Sequence, residues 1–348
     1  MKSILITGAS GFIGSFLVER GLEAGMNVWA ALRATSSRKY LTDSRTQFIE
    51  LDLGHDERLR AQLKAHAEQH GPFDYVIHAA GATKCRRPED FQKTNAEGTL
   101  RLARLLVERG ALRSRFVFIS SLSIVGAVAD TPAEPSAAQP KGLYGYPLIT
   151  DTDTPQPNTA YGRSKWEAEK ALADIAGLDY VILRPTGVYG PRERDYFLMA
   201  KSICQHVDFA VGYRPQALTF IYVKDLVQAA LLALNHGESG RAYFLTDGGA
   251  YPSRAFSDLL QRELGVRGVL HVKAPLWVLR VVSSIAGKIA ALRGKTSTLN
   301  PDKYQIMKQR NWQCDISAAR RELGYEPQYP LERGVREAVE WYKAAGWL

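Results

Sequence analysis

"ITGASGFIG" (residues 6–14) places Gly8, Gly11 and Gly14 between a short apolar run, Ile4-Leu5-Ile6, and a helical pattern over 12–22. A strand that turns into a helix through glycines has a use for each of them. Gly8 bends the chain, Gly11 lets a pyrophosphate approach the main chain, and Gly14 lets the helix pack tightly on the strand. The helix N-terminus then offers free amides to an anion. Ser10, Phe12 and Ile13 complete the turn and join the same candidate phosphate-binding set. The spacing is G-x-x-G-x-x-G rather than G-x-G-x-x-G, so a glycine-rich turn without a ligand is the competing reading.

Outward from this turn, strand patterns at 27–32, 46–51, 75–78, 115–119 and 180–183 are separated by helical patterns, chiefly at 56–69, 91–109 and 161–176. Strand and helix in alternation predict an α/β fold, a doubly wound parallel Rossmann sheet with helices on both faces. Ligands of such sheets bind beyond the carboxyl ends of the strands. Residues 129–160, with six prolines, read as a long ordered loop or flap beside that site. Helical patterns at 195–206, 224–236, 253–264, 275–293 and 331–345 predict a smaller, mainly helical C-terminal lobe that covers the substrate.

The chain has 348 residues, 45% hydrophobic and 23% charged, enough for one large domain or two smaller ones. Cys85, Cys204 and Cys314 are far apart and odd in number, which suggests neither a disulfide framework nor a cysteine metal site and fits a reducing compartment. The first strand begins at residue 3 and no window holds 18 uninterrupted apolar residues, so the expectation is a cytoplasmic protein, neither secreted nor membrane-spanning. A net charge of +9 admits nucleic acid, anionic membrane or phosphorylated small molecules. Lys and Arg are scattered with no basic arm, so nucleic acid is not expected. His66 and His70, four apart, read as a solvated helical face rather than a metal pair, and no metal site is expected.

The unusual chemistry collects after the strands. "ALRATSSRK" (31–39) carries Arg33, Ser36, Ser37, Arg38 and Lys39 with no carboxylate at the strand end. An acid there would accept from adenosine ribose hydroxyls, whereas Arg33 and Lys39 suit a 2′-phosphate, so NADP(H) is preferred and NAD(H) remains open. Asp52, followed by Leu53, holds an adenine edge or caps the next helix. "VIHAAGATK" (76–84) ends a strand in Ala79, Ala80 and Gly81, small enough for a cofactor to lie across their backbone. Asn95 sits early in a long helix, where Asn is a poor helix former; its amide bonds a backbone carbonyl or water near the reacting groups, or serves a local helix bend. "FISSLS" (118–123) is followed by "YGRSK" (161–165): Tyr161 and Lys165 are four apart on one helix face. A Lys ammonium lowers a phenol pKa and suits Tyr161 to exchange a proton with a substrate oxygen that Ser121 holds. The same spacing recurs at Tyr304 and Lys308 without a strand-end Ser, and is read as structural.

"TGASGFIG", "DL" at 52–53, "HAAG", "TNAEGT", "FISS", "YGRSK", "LRPTGVYGP" (183–191) and "FIYVKDL" (220–226) together resemble the extended short-chain dehydrogenase/reductases, in that family's order and over nearly the full length. The resemblance implies a catalytic group of Ser121, Tyr161 and Lys165 with Asn95 in support, and hydride passing between a nicotinamide and a carbon bearing oxygen. It also implies that Pro185, Thr186 and Val188 line the nicotinamide pocket, with Ile119 among the cofactor contacts, and that the strand near 219–223 returns to the nucleotide domain. The expected division is 1–185 with 219–250 as nucleotide-binding domain, and 186–218 with 251–348 as substrate lobe.

Within the family, sugar-nucleotide dehydratases carry an acidic pair where this chain has Leu122, Ser123 and Ile124, and NAD-preferring epimerases carry an acid where it has Arg33. "ALR" and the tail at 312–342 resemble the dihydroflavonol reductase and 3β-hydroxysteroid dehydrogenase-like branch. The expectation is an NADP(H)-dependent oxidoreductase that interconverts a ketone or aldehyde and an alcohol on an apolar, lipid-like substrate. The alternatives are an NAD-dependent nucleotide-sugar epimerase and a non-catalytic NADP-binding sensor or scaffold. Lys84, Tyr189, Arg192, Tyr196 and Tyr222 are candidate substrate contacts with equally good structural readings. The segment 274–295 is apolar on much of its circumference with Arg280, Lys288, Arg293 and Lys295 interspersed; it covers the core, roofs a substrate pocket or rests on an anionic membrane. Relatives often dimerise through the Tyr-Lys helix, which would make Trp166 and Ala168 a homodimer face.

Overall fold

Apolar runs that alternate faces place the first layer of the structure. The computed structural model describes residues 1–132, 142–292 and 301–348, with side chains throughout except those of 286–292. Its strands are β1 (Ser3–Thr7), β2 (Asn27–Leu32), β3 (Gln47–Glu50), β4 (Phe73–His78), β5 (Leu112–Ile119), β6 (Tyr180–Pro185), β7 (Gly187–Tyr189), β8 (Val207–Val211), β9 (Ala217–Leu218), β10 (Phe220–Tyr222), β11 (Ala242–Leu245), β12 (Tyr251–Pro252) and β13 (Leu270–Ala274). The helices are α1 (Phe12–Glu23), α2 (Asp56–His70), α3 (Pro88–Phe91), α4 (Gly98–Glu108), α5 (Ala160–Ala173), α6 (Asp195–Cys204), α7 (Val223–Leu232), α8 (Ala255–Leu264), α9 (Leu276–Leu292), α10 (Pro301–Lys308) and α11 (Leu331–Ala344).

Seven strands form one parallel sheet in the order β11-β6-β5-β4-β1-β2-β3. The expected doubly wound α/β architecture is present. Side chains alternate as period two requires. Ile4, Ile6, Val117, Ile119, Val181 and Leu183 pack with α1 and α7 on one face, and Leu5, Phe116, Phe118 and Ile182 pack with α2, α4 and α5 on the other. The strand order reverses between β1 and β4, which puts the ligand crevice beyond their carboxyl ends, at Gly8 and Ala79.

A second core of aromatic residues, including Tyr189, Phe220, Tyr222, Phe256 and Tyr342, joins α6, α8 and α11. The helices expected at 195–206, 253–264, 275–293 and 331–345 are present to within a few residues, whereas the one expected at 224–236 is α7, whose apolar side packs on the main sheet and not in the lobe; three two-stranded sheets also occur: β10 with β7, β12 with β9, and β13 with β8. These strands run two to five residues and pair across up to some 60 positions, too short and too non-local for a periodicity to announce them.

Two expectations change. His66 is buried rather than solvated: it stacks on Phe73 at 4.2 Å and meets Trp29 edge-on at 4.4 Å, and burial lowers its pKa to about 4. No group of three metal-ligating side chains occurs among the described residues. Ala168 is fully buried against the sheet while Trp166 stays half-buried beside another cluster, because residues two apart on a helix point in different directions. They form no common face. The loop expected at 129–160 is pinned where it is described: Gln313 accepts from Leu143 N at 2.6 Å, its carbonyl accepts from Ile149 N at 2.9 Å, and Asn311 donates to Pro147 O at 2.8 Å. Residues 133–141, and with them Pro135 and Pro140, lie outside the described residues, as do Arg293 and Lys295.

Candidate active site

The turn after β1 is shaped by close contact. Gly8 has φ +69°, and a Cβ on Gly14 would lie 2.0 Å from the Gly8 carbonyl oxygen, so only glycine lets α1 start this near the strand. Gly11 precedes the helix with no side chain capping it, and no acid stands in the first turn. Ser10 is half-buried, and Phe12 and Ile13 pack partly onto the core below. An anionic pyrophosphate fits this cradle: free amides, no competing carboxylate, and no Cβ in the way.

After β2, Arg33 is exposed, its amide held by the Ser36 hydroxyl at 3.0 Å. Lys39 lies over Tyr40 at 5.3 Å and Arg38 over Phe48 at 4.2 Å. The side chain of Asp52 is occupied locally. It accepts from Gly54 N at 3.0 Å and pairs with His55 at 2.8 Å, so it orders the turn before α2 without capping the helix itself. Leu53 packs inward and its carbonyl accepts from Arg101.

Ala79 and Ala80 cross in front of the glycine turn, where Ala80 N donates to the Thr7 hydroxyl at 3.2 Å. Beneath them runs a buried chain: Thr7 Oγ1 to His78 Nδ1 at 2.7 Å, His78 Nε2 to Thr99 Oγ1 at 2.9 Å, and Thr99 to the Asn95 carbonyl at 2.6 Å. Burial lowers the His78 pKa to about 3, which keeps it neutral. The helix around Asn95 widens into a π-turn, Gln92–Glu97. Such bulges suit a side chain with work to do. The Asn95 amide accepts from Ala82 N at 2.7 Å and donates to Ala82 O at 3.0 Å and Ser164 at 2.9 Å, tying the strand-end segment to α5. Asn95 thus makes the carbonyl bond and sits in the bend.

Helix α5 is docked turn by turn. Thr159 caps it by accepting from Gly162 N at 2.9 Å. A Cβ on Gly162 would meet the Ser123 carbonyl at 2.4 Å, so the helix start lies hard against the Ser121–Ser123 turn. Ser121 accepts from Ser123 N at 3.1 Å and stands beside the half-buried Tyr161, whose pKa it pulls down. Lys165 is buried, donates to Ile119 O at 2.8 Å and lies 4.7 Å over the Phe118 ring. A Cβ on Gly81 would stand 3.2 Å from the Lys165 ammonium and 3.3 Å from the Asn95 carbonyl oxygen. The structure therefore gathers Gly81, Asn95, Ile119, Ser121, Tyr161 and Lys165 at one strand edge.

The Tyr161 pKa moves opposite to the expectation: burial pushes its phenol up, against the pull of Ser121. Burial lowers Lys165 to about 8, opposed by Glu169 one turn on.

Pro185 ends β6, Thr186 bonds to Thr219 at 2.8 Å, and Val188 packs partly on the core. Tyr189 and Tyr222 are fully buried in the lobe core, and Lys84 pairs with Asp195 at 2.6 Å. Tyr196 packs against Phe256 at 4.6 Å. Arg192 bonds Ser15 at 2.9 Å and Glu19 at 2.6 Å and stacks on Phe16 and Tyr40, clasping the lobe to α1 beside the glycine turn.

Three features escape sequence reasoning. Glu169 is buried, accepts from Ser120 at 2.5 Å and forms a bidentate pair with Arg184; its only signal is a carboxylate four residues after Lys165, on the same face. Asp302 at the start of α10 accepts from Tyr161 N at 3.2 Å, a contact 141 residues apart in the chain. His78 shows only as a polar residue ending an apolar strand.

The family model of the NAD dependent epimerase/dehydratase family matches residues 4–245. The UDP-glucose 4-epimerase of Vibrio cholerae is 26% identical over 97% of this chain and 95% of its own length. A 4-hydroxy-2-methyl-3-oxo-4-farnesyl-3,4-dihydroquinoline-1-oxide ketoreductase of Stigmatella aurantiaca is 26% identical over 95% of this chain and 93% of its own. Among solved structures, a dTDP-glucose 4,6-dehydratase of Bacillus anthracis in complex with NAD shares the fold with TM-score 0.74 and 18% identity, covering 99% of this chain and 97% of that one.

Proposed function

The chain belongs to the NAD dependent epimerase/dehydratase family and is an NAD(P)-dependent enzyme of the extended short-chain dehydrogenase/reductase type; from that premise we propose that it is an NADP(H)-dependent oxidoreductase interconverting a carbonyl and an alcohol on an apolar substrate. The observation that carries this reading is the end of β2, where Arg33 stands exposed before Ser36, Ser37 and Lys39 and no carboxylate follows the strand. A ribose 2′-phosphate suits that donor set and a bare ribose diol does not.

The residues that would hold the cofactor are the glycine turn, the 33–39 loop, Ala79 to Gly81 and the segment from Pro185 to Val188. Bound there, a nicotinamide supplies or accepts hydride at the carbon that carries the oxygen. Tyr161 moves the proton at that oxygen. A phenol held above its ordinary pKa is fully protonated at neutral pH, ready to donate. Ser121 shares the substrate oxygen with Tyr161, and Lys165 keeps a positive charge beside them at pH values below about 8. The side chains of Leu122 and Ile124, buried under this turn, leave no acid to drive loss of water. The farnesylated ring substrate named for the Stigmatella relative supports an apolar substrate class here.

One observation favours a second reading, nucleotide-sugar epimerisation. A cleft of about 300 Å³ between α9 and α10 is lined by Arg280, Ser283, Ser284, Tyr304 and Lys308, a donor set that suits a diphosphate. The experiment is a parallel assay: NADPH oxidation with apolar ketones, and conversion of UDP-glucose without net redox change. Ketone-dependent NADPH oxidation lost in Tyr161→Phe supports the reductase. Epimerisation with no NADPH consumption replaces it by the second reading.

A further inference from the structure

Large apolar side chains that remain exposed gather in one region of the C-terminal lobe. β8 and β13 pair in parallel, Val207 with Leu270, Phe209 with Val272 and Val211 with Ala274. Partners in such a ladder point to the same side, so these six residues form one face of a two-stranded sheet. All six are apolar, and Phe209 and Leu270 are each 65% exposed. The other face looks inward, where Asp208 is buried against Ser257 and His271, both at 3.2 Å.

Helix α9 follows within two residues and continues the surface. Trp277, Val281 and Ile285 stand at i, i+4 and i+8, one stripe of the helix, and are 70%, 50% and 52% exposed. Val282 flanks them, while Leu279 and Ser283 turn inward. The turn after β8 touches the start of α9, since a Cβ on Gly212 would lie 3.7 Å from Leu276, so sheet face and helix stripe are contiguous. A patch of this kind marks an interaction surface.

Charge selects the partner. From 265 to 300 the sequence carries six Lys or Arg (Arg267, Lys273, Arg280, Lys288, Arg293, Lys295) and no Asp or Glu. Arg267, Lys273 and Arg280 are exposed and make no ion pair among the described residues. A stripe of Trp, Val and Ile bordered by cations, on a helix lying along the surface, matches a layer that is negative at its rim and apolar just below it. No helix among the described residues is long and apolar enough to cross a membrane, which leaves lying on one. We propose that β8, β13 and α9 dock the protein on an anionic lipid surface, with Trp277, Val281 and Ile285 entering the acyl boundary and Arg267 meeting the headgroup phosphates. This goes beyond the proposed reaction and does not depend on it.

The test is flotation of the full chain with vesicles of phosphatidylcholine alone or with added phosphatidylglycerol, together with hydrogen exchange of the bound protein. At moderate salt, binding to the anionic vesicles should exceed binding to neutral ones by at least tenfold, and should weaken as salt rises. Arg267→Ala should cost about fivefold. Trp277→Ser combined with Val281→Ser should abolish binding while NADPH affinity, the check on folding, stays within twofold. In the wild-type chain, amides of α9 should gain protection when vesicles are added, a result independent of any variant. Equal binding to both vesicle types, no binding, or unchanged exchange across α9 would overturn the proposal. So would a solution dimer that shields Trp277, since the patch would then be an interface between copies.

Discussion

Helices α5 and α9 are of similar length, yet their side chains are used in opposite ways. On α5, Gly162, Ser164, Lys165, Ala168, Glu169 and Leu172 are all buried, and the polar ones among them each reach a named partner on another element. On α9, Trp277, Val281, Val282 and Ile285 face outward, and Leu279 and Ser283 carry the inward contact among the described side chains. A helix held by polar partners of fixed geometry has one position, and reacting groups need that. A helix held by a narrow apolar edge takes its position from whatever covers the rest. The reaction therefore belongs to α5, and recognition of surroundings to α9.

The sharpest way to break this contrast is at the cradle that α5 faces. Gly14→Ala places a Cβ 2.0 Å from the Gly8 carbonyl, and the loss of stability should exceed about 4 kcal/mol, read as failure to accumulate folded protein. Tyr161→Phe should lower turnover by roughly 10²–10⁴-fold, with NADPH affinity within twofold of wild type. Unchanged turnover would detach α5 from the chemistry. Glu169→Ala strands the buried Arg184 guanidinium and should cost about 3–5 kcal/mol in the denaturant midpoint; a small effect would mean that α5 is not held as described.

A milder test uses pH. His78 and His66 have folded pKa values of about 3 and about 4, below the ordinary 6.5. The unfolded chain takes up their protons first, so this contribution is complete above pH 6.5 and is lost as pH falls through about 4 to 3. Unfolding midpoints measured from pH 7 down to 4 should fall, and His78→Asn should flatten part of that slope. The smallest effect is expected on α9: Trp277→Ser should alter stability by no more than about 0.5 kcal/mol in the absence of lipid, because an exposed side chain leaves little behind. A large loss would show that Trp277 is packed.

The contrast also explains what the sequence made legible. Gly8 and Gly14 could be read because a main-chain approach tolerates no other residue, and Tyr161 with Lys165 because a four-residue spacing on a helix is local. The sheet followed from strand runs that are apolar on both faces, as in β4. Glu169 with Arg184, Asp302 with Tyr161 and the Thr7–His78–Thr99 chain escaped, since each depends on residues 15 to 141 positions apart meeting in space. The pairing of β8 with β13 escaped for the same reason. Lys165 was expected to lower the Tyr161 pKa; the spacing was sound, but burial pushes the phenol up, and no local pattern encodes how deeply a side chain is buried.

The central claim, a reductase that takes NADP(H) through the Arg33 loop, is tested most directly by titrating the purified protein with NADPH and NADH by fluorescence and identifying any nucleotide released on denaturation. The account predicts exchangeable NADPH bound roughly 10- to 100-fold more tightly than NADH, a preference that Arg33→Asp removes. NAD retained through purification, with NADPH unable to displace it, would contradict it and assign the site to epimerisation.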